Sequence, residues 1–364
     1  MIDKQFKIAI AGATGAVGKE IISVLYAHGL KTDLTLYASS RSAGKVMSTP
    51  YGDITIQEFD LGGVRKEQFD VIFLAVSGSF SLKFARKLAE PLAESPSVAP
   101  LVIDNSSALR LAEDVPLVVP EINANSIPEG CKLIANPNCT TAIAVMALWP
   151  IHCAFGGITK CIMSTYQAAS GAGEPGMQEL INGLKEHHLV SENSVEVTLP
   201  INKVFAHPLP FNIIPHIDSF QSNGYTKEEM KVTWEMQKIF NVPDMAVSCT
   251  AVRVPTIRAH SEAITVETAD VITPEGARDC LVGQPGVVVI DNVEESRYPM
   301  PLTATQKEDV EVGRFRQSLV FGERGLDMFV VGDQILRGAA LNAVLIAECI
   351  LLNNVKQSGT AQVR

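Results

Sequence analysis

A cysteine at the predicted start of a helix is the group in this chain best suited to nucleophilic chemistry. Cys139 lies in the run Asn136-Pro137-Asn138-Cys139-Thr140-Thr141, and the apolar, helix-forming segment 142–149 follows at once. Pro137 fixes one backbone angle, and the first helical N–H groups then point toward the sulfur, which favours the thiolate that attacks electrophilic carbon. A small buried cysteine at a helix start is the alternative, since free cysteine is among the most buried residue types. The hexapeptide alone leaves both interpretations open.

The other cysteines and the histidines show no pattern of a disulfide framework or a metal site. The chain has seven cysteines, none in a C-x-x-C pair, and seven histidines, none in an H-E-x-x-H motif. An odd count without paired spacing disfavours disulfides and structural zinc. We therefore predict no metal, and we expect most cysteines other than Cys139 to be inert core residues.

Arg253 and His260 could serve such a thiol. Seven positions separate them, so in an unbroken strand their side chains would point to opposite faces. Pro255 is predicted to interrupt the strand, which would let both side chains face one pocket. Arginine can hold a carboxylate through two parallel hydrogen bonds, and histidine can transfer protons near neutral pH. A lone histidine is more often a core or surface residue, and here the neighbouring arginine and the thiol favour a functional role.

A second helix start carries a carboxylate and an ammonium on one face. Thr226 and Glu229 have the spacing of a capping box, which gives Glu229 a structural role. Glu228 has no such role, and it shares a helix face with Lys231, so both groups could reach a ligand. An ordinary surface ion pair is the alternative.

The first strand–turn–helix unit resembles a dinucleotide-binding turn. The apolar segment 7–11 is followed by the glycine turn 12–18 and by an amphipathic helix predicted over about 19–28. The G-x-x-G-x-x-G spacing is a variant of the fingerprint in which glycines let the backbone approach a pyrophosphate at the helix N-terminus. A plain strand-to-helix turn is the alternative, but the position at the first strand favours the nucleotide.

The loop after the second predicted strand, 34–38, selects between the two nicotinamide dinucleotides. An NAD site would carry an acidic residue here, whereas this loop contains hydroxyl groups with Arg41 and Lys45. These groups could hold a 2′-phosphate, so we predict NADP rather than NAD. A solvated basic loop is the alternative.

Further apolar segments predict a parallel sheet that is covered on both faces. They lie at 70–76, 101–104, 117–123 and 133–135. Arg110 follows one of these strands, and polar loops at the carboxyl ends of parallel strands bind ligands in such sheets. Arg110 is therefore a candidate anion clamp, with a surface arginine as the alternative.

The second half of the chain predicts an α+β domain on a mixed or antiparallel sheet. Clusters of β-branched residues at 158–168, 195–198, 246–254 and 263–268 are separated by longer connections. The turn 166–173 ends one of these strands, and its amides could meet a nicotinamide or a substrate, with a simple turn as the alternative. A final apolar helix, 338–352, is long enough to pack onto the first domain.

Size and charge limit the classes of function. With 364 residues, two domains are expected, and a formal net charge of −10 disfavours non-specific nucleic-acid binding. No charged leader precedes the first strand, and no apolar run is long enough to cross a bilayer. We therefore expect a soluble cytoplasmic protein that binds no membrane.

From Ile8 to about Glu348, the chain resembles the aspartate-semialdehyde dehydrogenase family. The shared motifs, in order, are the segments 12–18, 40–45, 104–107, 136–141, 170–173, 212–218 and 253–256. The resemblance implies a Rossmann-type NADP-binding domain at 1–135, completed by a C-terminal helix at 338–358. It also implies an α+β catalytic and dimerisation domain at 136–337, and a homodimer or homotetramer.

The implied reaction is the reductive dephosphorylation of L-aspartyl 4-phosphate by NADPH to aspartate 4-semialdehyde and phosphate. Cys139 would be the nucleophile that forms a thioester, His260 the acid/base catalyst and Gln167 the residue that orients the substrate. The implied ligand contacts fall into three groups. The substrate's carboxylate would contact Arg253, its amino group Glu228, and its phosphate Arg110, Asn138 and Lys231. The cofactor would contact Gly12, Thr14, Gly15, Ala16, Val17, Gly18, Arg41, Ser42, Ser170 and Gly171.

Gln334 stands where part of the family has asparagine. Its amide can still bind the nicotinamide carboxamide, as glutamine does in another branch, so it is included with the cofactor residues. Two alternatives to the implied reaction are open. The chain could be another phosphorylating acyl reductase, such as one acting on N-acetyl-glutamyl phosphate, or a catalytically silent NADP-binding relative. Glu228 argues against the first, because an N-acylated substrate has no ammonium group.

Overall fold

The computed structural model describes residues 4–91, 99–186 and 203–361. The chain divides into two compact units. Unit 1 comprises Met1–Asn138, Lys238–Asn241 and Gly338–Arg364, and unit 2 comprises Cys139–Gln237 and Val242–Arg337. Sequence prediction placed the change of domain at 135/136 and did not assign Lys238–Asn241 to the first unit. The predicted segment 195–198 lies outside the described residues.

Unit 1 contains a six-stranded sheet in which every neighbouring pair is parallel. Its strands are β1 (Phe6–Ala11), β2 (Thr32–Ala38), β5 (Gln57–Glu58), β6 (Val71–Leu74), β7 (Leu101–Asp104) and β8 (Leu133–Ala135), in the order β5-β2-β1-β6-β7-β8. A hairpin of β3 (Val46–Thr49) and β4 (Gly52–Thr55) forms a separate two-stranded sheet. All residues of β6 and β7 are buried, as expected for parallel strands covered on both faces.

The helices of unit 1 begin at residues that suit a helix start. They are α1 (Ala16–Ala27), α2 (Leu61–Lys66), α3 (Gly78–Ala89) and α4 (Pro120–Asn123), with a 3-10 turn at Ala124–Ser126. The Asp60 carboxylate accepts the Gly63 N–H at 2.7 Å at the start of α2. Proline at the first position starts α4, so the predicted apolar segment 117–123 contributes only an isolated bridge at Leu117 to the sheet.

Unit 2 contains a six-stranded mixed sheet, which confirms the predicted α+β class. Its strands are β9 (Ile158–Gln167), β10 (Ala246–Arg253), β11 (His260–Thr268), β12 (Val287–Val289), β13 (Val310–Gln317) and β14 (Gly325–Gly332), in the order β10-β9-β11-β14-β13-β12. The helices are α5 (Cys139–Ala154), α6 (Gly173–Glu186), α7 (Lys227–Phe240), α8 (Pro274–Leu281) and α9 (Pro301–Ala304), with 3-10 turns at Ala169–Ala172 and Gly322–Arg324. Helix α5 contacts β9, β11, β13 and β14, so it covers one face of the sheet.

The last helix, α10 (Leu341–Ala361), follows a π-helical turn at Leu336–Ala340. It packs on α1, α4 and β7, as its apolar composition predicted. Asn342 at its start donates to the carbonyl of Val118 at 2.9 Å and to the side chain of Asn136 at 2.6 Å. Among the described residues, no helix is long and apolar enough to cross a membrane.

Candidate active site

Three strands of unit 2 place Gln167, Arg253 and His260 at one end of its sheet. Strands β9 and β10 are parallel and pair Arg253 with Gln167 in register, while β11 runs antiparallel to β9 and begins at His260. The strand break predicted around Pro255 is present, because β10 ends at Arg253 and β11 starts seven residues later. All three side chains are buried. The sheet topology thus gathers an amide, a guanidinium and an imidazole in one place.

Helix α7 adds a carboxylate and an ammonium to this cluster. Glu228 is buried, accepts a hydrogen bond from Gln167 Nε2 at 3.2 Å and pairs with Lys231 Nζ at 3.0 Å. Lys231 also donates to the carboxylate of Asp218 at 2.8 Å. A hydrogen-bonded chain therefore leads from Asp218 through Lys231 and Glu228 to Gln167.

Mutual pairing fixes the charges of this chain of groups. Burial by itself lowers the pKa of the Lys231 ammonium, but the carboxylates of Glu228 and Asp218 outweigh burial and raise it. Burial likewise raises the pKa of the Asp218 carboxyl, but the hydrogen bonds from Lys231 and the Ser219 N–H, together with the positive charges of Lys231 and Lys227, outweigh burial and lower the pKa. Lys231 therefore carries its charge at neutral pH, as an anion ligand must.

The capping box predicted at the start of α7 is present and accounts for Glu229. Its carboxylate accepts the Thr226 N–H at 2.6 Å, and the Glu229 N–H donates back to the Thr226 hydroxyl at 3.3 Å. The other carboxylate oxygen accepts the Ala251 N–H at 2.9 Å, which ties the helix start to β10. Glu228, one residue earlier, takes no part in the capping box and contacts Gln167 and Lys231 in the cluster instead.

His260 is a neutral imidazole. Burial, and then the positive charge of Arg253, lower its pKa to about 3, against smaller opposing effects of the Glu228 carboxylate and the Ala259 carbonyl. Its Nδ1 accepts the backbone N–H of Ala168 at 3.0 Å, and its Nε2 lies 3.4 Å from Gln167 Nε2.

The glycine-rich turn after β9 lies against the same groups. A side-chain carbon at Gly171 would come within 2.9 Å of Arg253 Nη1 and 3.4 Å of His260 Nε2, so only glycine fits without displacing them. Ser170 accepts a hydrogen bond from Gln334 Nε2, and the Gln334 carbonyl oxygen accepts the Ala259 N–H at 2.8 Å. Gln334 thus fixes the turn and the start of β11 together.

Cys139 is the first residue of α5 and is partly exposed. The Cys139 sulfur interacts electrostatically with the Arg253 guanidinium, and the first N–H groups of a helix have no partner inside the helix. Both features favour negative charge on the sulfur. In contrast, burial raises the thiol pKa of Cys131 and Cys153 and takes that of Cys161 to about 12. Cys139 is therefore distinct in its surroundings from these three.

Glu262, two residues after His260 on β11, is a buried carboxyl group without hydrogen-bond partners among the described residues. It follows His260 on the same face of β11, pairs in register with Thr165, and is fully buried. Neither of its carboxyl oxygens has a hydrogen-bond partner among the described residues, and burial raises its pKa well above the usual value. The folded protein therefore keeps Glu262 protonated.

Glu262→Gln is expected to stabilise the protein more as pH rises. The folded state holds a proton that the unfolded chain releases above about pH 4.3, so each pH unit beyond it costs the wild type about 1.4 kcal/mol until the folded pKa is reached. The neutral amide of glutamine removes this cost. Denaturant unfolding at pH 5 and pH 8 measures the free energy of unfolding of both proteins. The advantage of Glu262→Gln over the wild type should be larger at pH 8 than at pH 5.

Glu311→Gln is the matched control, because Glu311 is equally buried but hydrogen-bonded to Thr303 at 2.5 Å and to Lys307 at 3.2 Å. This variant should lose stability at both pH values. A Glu262→Gln difference that stays constant between pH 5 and pH 8 would contradict the assignment of a protonated acid.

A nucleotide-sized cleft lies in unit 1 at the carboxyl ends of β1, β2 and β6. Its volume is about 640 Å³. The lining residues include Gly12, Thr14, Gly15, Ser39, Ser40, Arg41, Glu58 and Phe80. Gly12 has φ +85°, and a side-chain carbon there would lie 2.0 Å from the Ala75 carbonyl oxygen, so only glycine fits. Gly15 caps α1 without a side-chain hydrogen bond, which leaves the helix N-terminus to an anion.

The other predicted unit 1 residues fall into three groups. Ala16, Val17 and Gly18 form the first turn of α1, and a side-chain carbon at Gly18 would collide with the Gly12 carbonyl oxygen at 2.4 Å. Ser42 lies in the turn with Arg41 but does not line the cleft among the described residues. Arg110 is buried and donates to the carbonyls of Asn136 at 2.8 Å and Asn105 at 2.9 Å, and Asn138 is buried as well.

Both units match known family models. The chain matches the NAD binding domain of semialdehyde dehydrogenase over residues 7–129 and the semialdehyde dehydrogenase dimerisation domain over residues 148–337. The aspartate-semialdehyde dehydrogenase of Aquifex aeolicus is 43% identical over 349 residues, 95% of this chain and 98% of that protein. The chain belongs to the aspartate-semialdehyde dehydrogenase family. The Bacillus subtilis member is 40% identical, over 94% of this chain and 96% of its own.

Solved structures of the family have the same fold. Aspartate semialdehyde dehydrogenase II of Vibrio cholerae, in complex with ASA, has a TM-score of 0.85 and 38% identity, covering 96% of this chain and 99% of that one. The enzyme from Francisella tularensis has a TM-score of 0.80 and 27% identity, covering 96% and 100%. The predicted Rossmann-type domain with a second α+β domain is thereby confirmed.

Within this family fold, three groups at the site escaped sequence analysis. Asp218 holds Lys231, the Thr165 hydroxyl donates to Gln167 Oε1 at 3.0 Å, and the Ala168 N–H binds His260. Asp218 lies inside the shared motif 212–218, which was the available signal for it. The sequence has no signal for Thr165 or Ala168, because the role of Thr165 depends on strand register and that of Ala168 on a backbone N–H group.

Proposed function

We propose that this chain catalyses the NADPH-dependent reductive dephosphorylation of L-aspartyl 4-phosphate to L-aspartate 4-semialdehyde and phosphate. The reaction leads toward lysine, diaminopimelate, methionine, threonine and isoleucine. Membership of the aspartate-semialdehyde dehydrogenase family supports it. The observation that carries it is the buried pair of Arg253 and Glu228 in one cluster with His260. An amino acid needs a cation for its carboxylate and an anion for its ammonium, and this cluster offers both.

The unit 1 cleft fits a dinucleotide. Its glycine turn allows close backbone approach, the uncapped start of α1 suits a pyrophosphate, and Arg41 with Ser39 and Ser40 suits a 2′-phosphate. NADPH held by these residues would supply the hydride for the reduction. Ser170, Gly171 and Gln334 are proposed to hold the nicotinamide end.

The protein groups divide the remaining work. Cys139 attacks the acyl carbon as a thiolate, forming an S–C bond while the bond to the phosphate oxygen breaks. Arg253 binds the α-carboxylate and Glu228 the α-ammonium, while Lys231, Arg110 and Asn138 bind the phosphate. Gln167, fixed by Thr165 and Glu228, orients the substrate. His260 is proposed as the acid/base catalyst that moves a proton to or from the oxygen of the acyl carbon.

Arg41→Ala is expected to reduce the preference for NADPH over NADH by about 10- to 100-fold, since a hydrogen bond to a charged group contributes about 1.5–3 kcal/mol. The ratio of kcat/KM for the two cofactors measures it. Lys45→Ala is the control, because Lys45 does not line the cleft among the described residues. A preserved ratio in Arg41→Ala would place the 2′-phosphate elsewhere.

The test of the function is the phosphate-dependent oxidation of aspartate semialdehyde, run with NADP and NAD side by side. We expect absorbance of reduced cofactor to appear only with phosphate present, and faster with NADP. Activity confined to N-acetyl-glutamyl phosphate would overturn the assignment in favour of that reductase. No turnover by the folded, NADP-binding protein would favour a silent relative.

A homo-oligomer, at least a dimer, is proposed to form on the face of the unit 2 sheet that carries the exposed side chains of β9. Along β9, the exposed side chains of Ile162 and Tyr166 alternate with the buried Cys161 and Met163, so they lie on the face opposite α5. Tyr166 also contacts the ring of Phe329 on β14 at a centroid distance of 6.2 Å. The match of this unit to a dimerisation domain supports the proposal.

Ile162→Arg is expected to shift the protein toward the monomer, because it places a charge on an apolar sheet face that association would bury. Light scattering coupled to size-exclusion chromatography gives the mass. Val282→Arg, at an exposed apolar position that ends α8, should leave the mass unchanged. An oligomer that persists in Ile162→Arg would move the interface elsewhere.

A further inference from the structure

The aromatic ring of Phe205 lies against the guanidinium group of Arg253. The Arg253 Cζ atom is 5.6 Å from the centroid of the ring. Arg253 is buried, and burial is the largest influence on the pKa of its guanidinium, which it lowers. An aromatic face attracts a cation and replaces part of the hydration that burial removes. The ring therefore stabilises the charge of Arg253 and also covers one face of the guanidinium plane.

The ring also fixes the orientation of that plane. Nη1 of Arg253 donates to the Ala168 carbonyl, and this bond fixes one corner of the guanidinium. Rotation about that corner would turn the other N–H groups away from a bound carboxylate, because two parallel hydrogen bonds need the two planar groups to be nearly coplanar. Contact with the flat face of Phe205 opposes this rotation, and it does not occupy the edges of the guanidinium that form hydrogen bonds.

Phe205 is held in this position partly by apolar packing. The ring fills the space beside Gly176 of α6, where a side-chain carbon would come within 3.0 Å of Phe205 Cζ. Glycine at 176 therefore allows the ring to approach the helix. Phe205 also packs on a buried apolar cluster, which consists of Ala169, Leu180, Leu209 and Ile214.

The backbone of Phe205 is held by a carboxylate from helix α6. One oxygen of Glu179 accepts the N–H groups of Lys203 and Val204, both at 2.7 Å, and the other oxygen accepts the Phe205 N–H at 3.3 Å. Hydrogen bonds to an ionised acceptor are about twice as strong as neutral ones. Three consecutive N–H groups that converge on one anion fix the course of the chain at that point. A connected series of contacts thus leads from Glu179 through Phe205 to Arg253.

We propose that Phe205 and Glu179 are positioning residues for substrate binding. The Phe205 ring holds the plane of the Arg253 guanidinium in the orientation that binds the substrate's α-carboxylate, and Glu179 holds the ring through the backbone of 203–205. This inference rests on the proposed function, for which it names the residues that set the geometry of the carboxylate contact. Neither residue takes part in a chemical step, so their replacement should change KM and leave kcat nearly unchanged.

Phe205→Leu keeps an apolar side chain but removes the aromatic face. We expect it to raise KM for aspartate semialdehyde by about 5- to 30-fold in the phosphate-dependent assay, as the loss of a desolvated cation–aromatic contact implies. The values of kcat and of KM for NADP should stay within about twofold of wild type.

Phe315→Leu is the matched control for this variant. The Phe315 ring lies against the Arg278 guanidinium in the same way, with 5.7 Å between Cζ and the ring centroid. Because this pair lies outside the cluster, the control should leave both KM values and kcat unchanged. A KM for aspartate semialdehyde that stays at the wild-type value in Phe205→Leu would overturn the inference.

A double variant tests whether the ring acts through the guanidinium. Lysine has no plane for a ring to orient. Adding Phe205→Leu to Arg253→Lys should therefore change KM by less than about twofold beyond Arg253→Lys alone. If the effects of the two replacements multiply instead, Phe205 acts on substrate binding by a route other than Arg253, and the proposal is wrong.

Glu179→Gln tests the other step of the series. The glutamine amide presents N–H groups where one carboxylate oxygen accepted hydrogen bonds, so the backbone of 203–205 loses part of its attachment. KM for aspartate semialdehyde should rise by about 10-fold with kcat unchanged. Glu174→Gln, at an exposed position in the first turn of the same helix, is the control and should match wild type. A lower melting temperature of Glu179→Gln without a change in KM would limit Glu179 to stabilising the fold and would overturn its positioning role.

The proposed function and this inference fail in different ways. A folded wild type that turns over none of the proposed substrates refutes the function, and the inference falls with it. An active wild type whose KM is insensitive to both Phe205→Leu and Glu179→Gln refutes the inference alone. The two variants lie in different elements, so a folding defect in one leaves the other to decide.

Discussion

Replacing Cys139 with alanine is expected to lower kcat by about 10⁴-fold or more, because the covalent intermediate can no longer form. Cys139 begins α5, and its sulfur interacts electrostatically with Arg253. The methyl group of alanine preserves the helix start, so binding of NADP to the unit 1 cleft should be unchanged. Steady-state kinetics in the phosphate-dependent direction and a fluorescence titration with NADPH measure the two quantities.

Cys153→Ala is the matched control, since Cys153 lies near the other end of α5 and is exposed. Partial loss of hydration raises the pKa of its thiol. It should keep wild-type kcat. Intact-mass measurement after mixing wild type with aspartyl phosphate alone should show one added acyl group, absent in Cys139→Ala. Turnover by Cys139→Ala at a rate comparable to wild type would refute covalent catalysis.

Most of the fold could be predicted from the sequence because its signals are local. Continuous apolar runs of four to seven residues gave the buried parallel strands, such as Leu101–Asp104, which the structure reproduces with the same bounds. The capping box at Thr226 placed the start of α7 to the residue. Segment 117–123 was harder, since its apolar pattern does not show that Pro120 begins a helix there.

The contacts within the site depend on pairings that no local pattern encodes. The sequence could nominate Arg253 and His260, but that both face Gly171 follows from β11 running antiparallel beside β9. Glu228 and Lys231 were visible as neighbours on one helix face, whereas Asp218 reaches Lys231 from a loop thirteen positions away in sequence. Resemblance to a family supplied motifs and roles, and the partners of each group came from the structure.

The unsatisfied Glu262 and the neutral His260 share a cause. Both lie on the buried face of β11, where burial disfavours charge of either sign. Burial therefore raises the pKa of the Glu262 carboxyl and lowers the pKa of the His260 imidazole, so both groups are neutral. Arg253 and Glu228 sit beside them as the buried charges of the cluster. A dry, low-dielectric site of this kind strengthens each hydrogen bond to a charged substrate atom.

Arg253→Lys is expected to raise KM for aspartate semialdehyde by about 30- to 150-fold, corresponding to about 2–3 kcal/mol, because a point charge replaces a planar fork. The guanidinium donates through Nη1 to the Ala168 carbonyl and lies over the Phe205 ring, with Cζ 5.6 Å from the centroid. With that end anchored, the proposed role of the other edge of the fork is to hold the substrate's carboxylate by two hydrogen bonds. Lysine provides neither the anchor nor the edge, and kcat should fall less than KM rises.

Arg278→Lys is the control, because Arg278 lies outside the cluster and its guanidinium, like that of Arg253, is hydrogen-bonded and lies over a phenylalanine ring. It pairs with Asp291 at 2.6 Å, and its Cζ lies 5.7 Å from the centroid of the Phe315 ring. Loss of a structural arginine alone should therefore affect stability in both variants, whereas only Arg253→Lys should change KM. An unchanged KM in Arg253→Lys would mean that another group binds the α-carboxylate, and Glu228 would then lose its paired role, because the two ends of one amino acid must be held together.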